Sequence, residues 1–449
     1  MHRQRNAVER PLRGIAAFVA IVLVAACGGI PPGSGPGGSS PPASGPPGSP
    51  AIGLARADVT RAAAGIDDAT AAAAAINEFG FDLHRRLAAN RDNVVFSPAS
   101  VAIALGMARA GARGGTAAQM DLVLREMAAD DHANWLNGLD QALASRSGTF
   151  QDSDGTDHEL TLDIANAYFA QDDLAFEAAF LEALAARFGA GMQLVDFVAD
   201  PEAARELINE WADEETRGRI PEVLQSGDVT EDTRLALVNA IYLKAPWQRP
   251  FLVERTTDQP FTRLDGSTVA VPTMPAEHGS CAIGSGWGAF ELPYIGNTLS
   301  MLVVVPDDLA AFEASLDGAV IATLTRALED GFAGPRISLP RFDFETRAEL
   351  GSILAALGMP DAFDPESADF SGMTNEAELF ISKVIHQANI SVDEKGTEAA
   401  AVTVVGVDVT SGPSTICTVH ADRPFFFALR DGETGAILFM GRVVDPSAS

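Results

Sequence analysis

Metal-ligand spacing is absent from this sequence. Its seven histidines and three cysteines are scattered over 449 residues, without the short intervals that a zinc site needs. No cofactor is expected. Basic charge is also scarce, with 31 Lys and Arg against 61 Asp and Glu and a formal net charge of −30. Nucleic acid needs a basic surface, so that class of partner is excluded, and a polyanion site is disfavoured for the same reason. Such charge favours solubility and says little about fold. No Gly-x-Ser-x-Gly segment occurs, which removes the usual marker of a strained serine nucleophile. There is no internal repeat. The apolar run Ile15–Ala26 holds 12 residues, too few to span a bilayer comfortably as a helix.

That run follows Arg3, Arg5, Arg10 and Arg13, opposed by Glu9 alone. A basic start, a short apolar core and small residues mark residues 1–26 as a secretory signal peptide. The end, Val24-Ala25-Ala26-Cys27, resembles the lipobox of bacterial lipoproteins. The resemblance covers these four residues and implies that Cys27 is lipidated and becomes the new N-terminus. An ordinary cleaved signal with a chance cysteine is the plainer alternative. Gly28–Pro50 is Gly, Pro and Ser apart from Ile30 and Ala43, a composition that cannot form a core. It reads as a tether, with residues 27–68 as linker and 51–67 transitional. Loss of residues 1–26, which carry net +3, would take the charge from −30 to −33. The expected location is beyond the inner membrane, anchored at the periplasmic or cell-surface face of the envelope.

Residues 69–446 are long enough for one large domain. Ile76, Phe79, Leu83 and Leu87 share a helical face within Ala69–Asn90. Asn93–Phe96 reads as a short strand ending at Ser97-Pro98. A helix then runs through Ile103, Leu105 and Met107 to Gly111. Thr116–Gln119 has capping-box spacing before a helix with Met120, Val123 and Leu124. Asp152–Asp157 is a polar loop. Leu160–Phe169 alternates as a strand, and Pro201–Glu215 is helical. Leu235–Leu243 is nearly all apolar and reads as a strand buried on both faces. Leu299–Val305, Ile337–Phe344 and Leu379–Val392 are further strands, the last with His386 inside it. Arg347–Leu357 reads as a helix. Pro424–Leu429 and Ile437–Val444 are strands joined at Asp431-Gly432-Glu433. Helices and strands interleave without a βαβ repeat, which predicts an α+β class.

The segment Glu394–Ser414 stands apart. Three alanines follow Glu394-Lys395-Gly396-Thr397-Glu398, and β-branched residues follow those. Thr397, Ala399, Ala401, Thr403, Val405, Val407 and Val409 form one parity face, all small or β-branched and uncharged. Glu398, Ala400, Val402, Val404, Gly406, Asp408 and Thr410 form the other. That is a strand with one face meant for a core. An ordinary permanent strand would gain little from Ala399-Ala400-Ala401. A segment that slides between two existing strands gains from their small size.

Glu394–Thr403 resembles the hinge of inhibitory serpins. Phe96-Ser97-Pro98-Ala99-Ser100 is similar to that family's shutter segment. Leu237–Trp247 resembles its Val-Asn-Ala stretch, with Ala245 in place of Gly. His386 matches the shutter histidine, and Arg423-Pro424-Phe425 and Gly441–Pro446 resemble the C-terminal signatures. The likeness spans residues 69–446. It implies an α+β serpin-like fold with three sheets, eight or nine helices and an exposed reactive-centre loop within 394–423. It also implies a suicide inhibitor and not an enzyme. A protease cleaves the loop, and the freed N-terminal half inserts into the main sheet before the acyl-enzyme hydrolyses. Adding about 14 ladder residues at about 0.5–1.5 kcal/mol each is worth on the order of 10 kcal/mol. The uncleaved state is then held kinetically.

Hinge roles fall on Glu394, Gly396, Thr397, Glu398, Ala399, Ala400, Ala401 and Thr403. Shutter and breach roles fall on Ser97, Ser100, Asn239, His386 and Trp247. Family spacing puts the cleaved bond at Thr410–Ser411, with Val407, Asp408 and Val409 as nearby alternatives. No Arg, Lys or bulky aromatic lies between Lys395 and Arg423. An elastase-like or subtilisin-like serine protease is therefore the favoured partner of a monomeric inhibitor, with a cysteine protease as the second class. The helix around Thr116–Met127 resembles the heparin-binding helix of some relatives but carries only Arg125, beside Asp121 and Glu126. A non-inhibitory binding or scaffold protein is the rival reading, kept open by Lys395 and Val402. A hydrolase using Ser97 and His386 is the weakest. Cys281 and Cys417 read as separate small buried or loop thiols, and a single bridge between them stays open.

Overall fold

Leu235–Pro246 is a central strand of an eight-stranded sheet, as its unbroken apolar run demands. The computed structural model describes residues 52–90, 92–125, 129–331, 335–397 and 417–448, all within one unit, Pro50–Ser449. Among the described residues there are nine α-helices and three sheets of eight, six and four strands. The large sheet runs in the order Gly53–Ala55, Met192–Val195, Asp157–Gln171, Leu235–Pro246, Gly396–Thr397, Lys383–Asp393, Phe342–Glu349. Its eighth strand, Gly148–Gln151, pairs with Asp157–Gln171.

Both faces of this sheet are covered, which explains the missing alternation. Leu235, Leu237, Ile241, Leu243 and Ala245 join the main core, with the six-stranded sheet and the helices Ile66–Leu87 and Pro98–Gly111. Ala236, Val238 and Ala240 face the other way, onto Ile208 and Ala212 of the helix Pro201–Glu215 and onto Val223 and Leu224. The six-stranded sheet is built from Val94–Phe96, Ile437–Val443, Phe425–Asp431, Leu299–Pro306, Trp287–Pro293 and Ser280–Gly284. The four-stranded sheet orders Thr418–His420, Arg336–Pro340, Thr268–Ala276 and Thr257–Thr262.

Several local expectations change. Ile337–Phe344 is two strands in two sheets, Arg336–Pro340 and Phe342–Glu349, divided at Arg341. The expected helix at Arg347 begins only at Gly351, because Arg347, Ala348 and Glu349 pair with Gln387, His386 and Ile385. Sheet pairing there overrides their helix propensity. Thr116 is not a cap. The helix starts at Gly114, and the Thr116 hydroxyl accepts the Asp369 N–H at 2.9 Å. The strand expected from Leu379 begins at Lys383. Ordered structure also starts before residue 69. Gly53–Ala55 pairs with Met192–Leu194, and Arg61 reaches Asn137 at 2.8 Å and Asp140 at 2.6 Å. Cys281 and Cys417 are not separate thiols but a disulfide. Each was read alone because 136 residues separate them in sequence, and only the tertiary fold brings them together.

Candidate functional site

Two long strands create the site. Ala236–Ala240 pairs in parallel with Lys383–Gln387, and there the ladder between them stops. Ile241–Lys244 and Ala388–Ser391 continue without pairing to each other. At the far end Gly396–Thr397 enters between them, antiparallel to both. Thr397 lies opposite Ala245 and Val392, and Gly396 lies opposite Pro246 and Asp393. The result is a narrow slot lined by Leu243, Asn389, Ile390, Ser391 and Thr397. Its floor is Leu429 and Phe439 of the six-stranded sheet.

Asp393–Thr397, the segment expected to be a hinge, closes one end of the slot. After Asp393 the chain turns, and the Asp393 carboxylate accepts the N–H groups of Lys395 at 2.7 Å and Gly396 at 3.3 Å. Gly396 has φ +154°, and a Cβ there would collide with the Ala245 carbonyl oxygen, so only glycine fits. The Glu394 carboxylate accepts from Thr256 Oγ1 at 2.5 Å and from Arg341 Nε at 2.9 Å. Burial pushes its pKa up, but the Arg341 and Thr256 hydrogen bonds outweigh that and hold it below the usual glutamate value. Trp247 donates its indole N–H to the Asp393 carbonyl at 2.9 Å and its backbone N–H to the Lys395 carbonyl at 2.8 Å. Its ring stacks on Tyr294 at 4.5 Å, and the Tyr294 hydroxyl meets Thr397 Oγ1 at 2.6 Å. Trp247 thus binds the turn at Asp393–Lys395 directly.

A polar cluster closes the other end. His386 lies opposite Asn239 across the parallel pair. Its Nε2 accepts the backbone N–H of Ser97 at 3.0 Å, so Nδ1 carries the proton and donates to Asn239 Oδ1 at 2.6 Å. The Asn239 amide then donates to Ser100 Oγ and Asn166 Oδ1. Ser97 Oγ caps the next helix by accepting the Ser100 N–H at 3.1 Å. Burial pushes the His386 pKa down to about 3, so the ring is neutral. This is not a nucleophile and base. His386 is engaged by a backbone N–H and not by Ser97 Oγ, and Ser97, Ser100 and His386 have no exposed surface.

Ser97, Ser100, Asn239 and His386 thus come together at one end of the slot, and Glu394, Gly396, Thr397 and Trp247 at the other. Glu398, Ala399, Ala400, Ala401, Thr403, Thr410, Ser411 and Cys27 lie outside the described residues. Four contributors were not read from sequence: Asn166, Thr256, Tyr294 and Arg341. Asn166 carried a signal, being a polar residue on the inward parity of an otherwise apolar strand. The other three come from distant segments, and no local pattern marks them.

The serpin (serine protease inhibitor) family model matches residues 74–446. The chain belongs to the serpin family. Among this serpin's relatives is a leukocyte elastase inhibitor of Xenopus tropicalis. It is 35% identical over 396 residues, which are 83% of this chain and 98% of that protein. A serpin-like protein of Thermococcus kodakarensis is 37% identical over 379 residues, 83% of this chain and 85% of that one. Among solved structures, the thermophilic serpin tengpin in its native state superposes with a TM-score of 0.75 at 26% identity. That match covers 88% of this chain and 99% of tengpin. The serpin fold, with its three sheets, follows.

Proposed function

We propose that this serpin inhibits a serine protease by suicide cleavage, with residues 398–416 as bait and the slot as the acceptor of the cleaved loop. The observation that carries this reading is the register of the hinge. Thr397 is already opposite Ala245 and Val392. Continued in that register, residues 398–401 fall opposite Lys244–Ile241 and Ser391–Ala388, the segments that lack a mutual ladder. Residues 402–406 then replace the existing pairing of Ala236–Ala240 with Lys383–Gln387, and Val407 reaches Leu235, where the strand begins. On this register Thr403 arrives between Asn239 and His386, where its hydroxyl can join the polar cluster. Ala399, Ala401 and Val405 take the inward face. The net gain is on the order of ten ladder hydrogen bonds, about 5–15 kcal/mol.

The acceptor strands end at Val407 in this register, which agrees with cleavage a few residues later, at Thr410–Ser411. Small and β-branched residues around that bond suit an elastase-like or subtilisin-like protease, and leukocyte elastase inhibitors stand among the relatives. A cysteine protease is the second target class. The inhibitor acts as a monomer. Cys27 carries the lipid, after removal of residues 1–26 by a bacterial secretion pathway, and the Gly/Pro/Ser tether holds the domain off the periplasmic or cell-surface face.

The test is a small panel of proteases mixed with the purified domain and run on a reducing, denaturing gel. An elastase-like or subtilisin-like enzyme gives a covalent complex, and the released fragment begins at Ser411. Cleavage with no complex would favour a non-inhibitory binding protein. A different new N-terminus would move the reactive bond.

A further inference from the structure

Two sheets meet beside Cys417 and leave one strand edge open. Thr418–His420 pairs in parallel with Arg336–Ser338 and, among the described residues, with no other strand. Arg336 donates its N–H to the Cys417 carbonyl at 2.8 Å, and Ala421 donates its N–H to the Ser338 carbonyl at 3.0 Å. In a parallel ladder that register turns both backbone groups of Val419 into the sheet. The N–H and C=O groups of Thr418 and His420 therefore point out of it. An open edge of this kind is a template for a further strand.

Thr418 and His420 border a cleft of about 310 Å³, whose other walls include Ile283, Trp287, Asp307 and Asp422. The Cys281–Cys417 disulfide fastens the start of the open strand to Ser280–Gly284, the edge of the six-stranded sheet, so the two walls are held together. The turn between them is shaped by close approach. A Cβ on Gly284 would run into the Trp287 indole, and one on Gly288 would meet Val419 Cγ2 at 2.9 Å. Ile283 is 59% exposed at the mouth, an apolar side chain outside the core. Asp307 and Asp422 share the one guanidinium of Arg423, each at 3.2 Å, so carboxylate is in excess. The cleft thus offers a backbone edge, an apolar surface and a negative rim, on a framework already held in place.

We propose that this cleft is a second docking site for the target protease. It takes an extended surface segment that carries a large apolar side chain and a neighbouring cation. The segment pairs with the open edge of Thr418–His420, the apolar side chain covers Ile283 and Trp287, and the cation meets Asp307 and Asp422. The proposal rests on the inhibitor reading above. Reach selects this occupant. Ser411 is seven residues before Thr418, at most about 23–25 Å of chain. A protease of a few hundred residues is roughly 40 Å across, so one held at Thr410–Ser411 reaches the cleft. Small and β-branched bait side chains contribute only about 1.5–3 kcal/mol each when buried. A second contact supplies the selectivity that such a bait lacks.

The test is the second-order rate constant of complex formation with the responsive protease, inhibitor in excess, for wild type, Ile283→Asp and Thr418→Pro in the full secreted chain. Proline at 418 removes an N–H that the sheet does not use, the position at which an edge strand tolerates it. Each variant should react at least about fivefold more slowly. The share of cleavage that ends in complex and the thermal midpoint should both stay at wild-type values, which a merely structural role would not allow. Unchanged rates in both variants overturn the docking site. If Thr418→Pro does not fold, Ile283→Asp, at an exposed position, decides alone. Unchanged rates with wild type sedimenting as a dimer and the variants as monomers give the cleft to a second copy of this chain and also overturn the proposal. If wild type forms no complex with any protease of the panel, the inhibitor reading has failed and the docking site with it. Complex formation at unchanged rates means that only the docking site has failed.

Discussion

On the mechanism proposed above, Thr397→Arg turns an inhibitor into a substrate: cleavage continues while covalent complex formation falls at least about tenfold. Thr397 is 3% exposed, paired on both sides, and in contact with the Tyr294 hydroxyl. It lies between the two strands of the slot, and in the proposed insertion every later residue would follow it. Its side chain points to the floor of Leu429 and Phe439, among apolar neighbours Leu243 and Ile390. The one carboxylate in the slot lining, Asp343, lies opposite Ser391, on the other parity from the Val392–Thr397 pair, so an inward arginine has no acidic partner on its own face. Burying it unpaired costs several kcal/mol, and about 1.4 kcal/mol is a factor of ten in the race between insertion and deacylation. The arginine would swing out to solvent and draw the hinge out of the slot. Thr397→Ser keeps the hydroxyl and should keep inhibition. The measurement is the ratio of complex to cleaved inhibitor on a denaturing gel.

The second large effect is at the other end. His386 is fully buried and neutral, with its pKa lowered from 6.5 to about 3. Below pH 6.5 the unfolded chain binds a proton there that the folded chain refuses. Stability from this group is therefore complete above about 6.5 and is lost as pH falls toward about 3. Between pH 7 and pH 5 the loss is about 2 kcal/mol. Glutamine at this position cannot titrate, so the unfolding free energies of wild type and His386→Gln from urea titrations should converge by about that amount on acidification. A gap that stays constant from pH 7 to pH 5 contradicts the buried neutral ring. The same protonation falls on Nε2 and would break its acceptance of the Ser97 N–H, while the Nδ1–H donation to Asn239 stays.

Much of this could be read from residues alone, for identifiable reasons. Leu235–Leu243 has no polar alternation, so its two-faced burial was legible. Gly396 and the alanines read as a segment suited to move; of that segment the structure describes only Gly396–Thr397, which pair with Pro246 and Ala245, with Thr397 against Tyr294. Ser97, Ser100, Asn239 and His386 were grouped by resemblance, and the hydrogen bonds now give each a job. What sequence could not supply was anything joined only in three dimensions. Tyr294 and Arg341 meet the hinge from strands far away in the chain. The Cys281–Cys417 bridge spans 136 residues and links two sheets. Arg347–Glu349 looked helical because helix propensity is local, whereas the strand that captures it is not.

Amide hydrogen exchange at Ile241–Lys244 and Ala388–Ser391, before and after cleavage in the loop, tests the central claim most directly. These residues face one another without a ladder in the intact protein. After cleavage their slot-facing amides should become strongly protected, while Ala236–Ala240 remains protected against a new partner. Unchanged exchange at both segments would contradict loop insertion, and with it the mechanism proposed for this serpin.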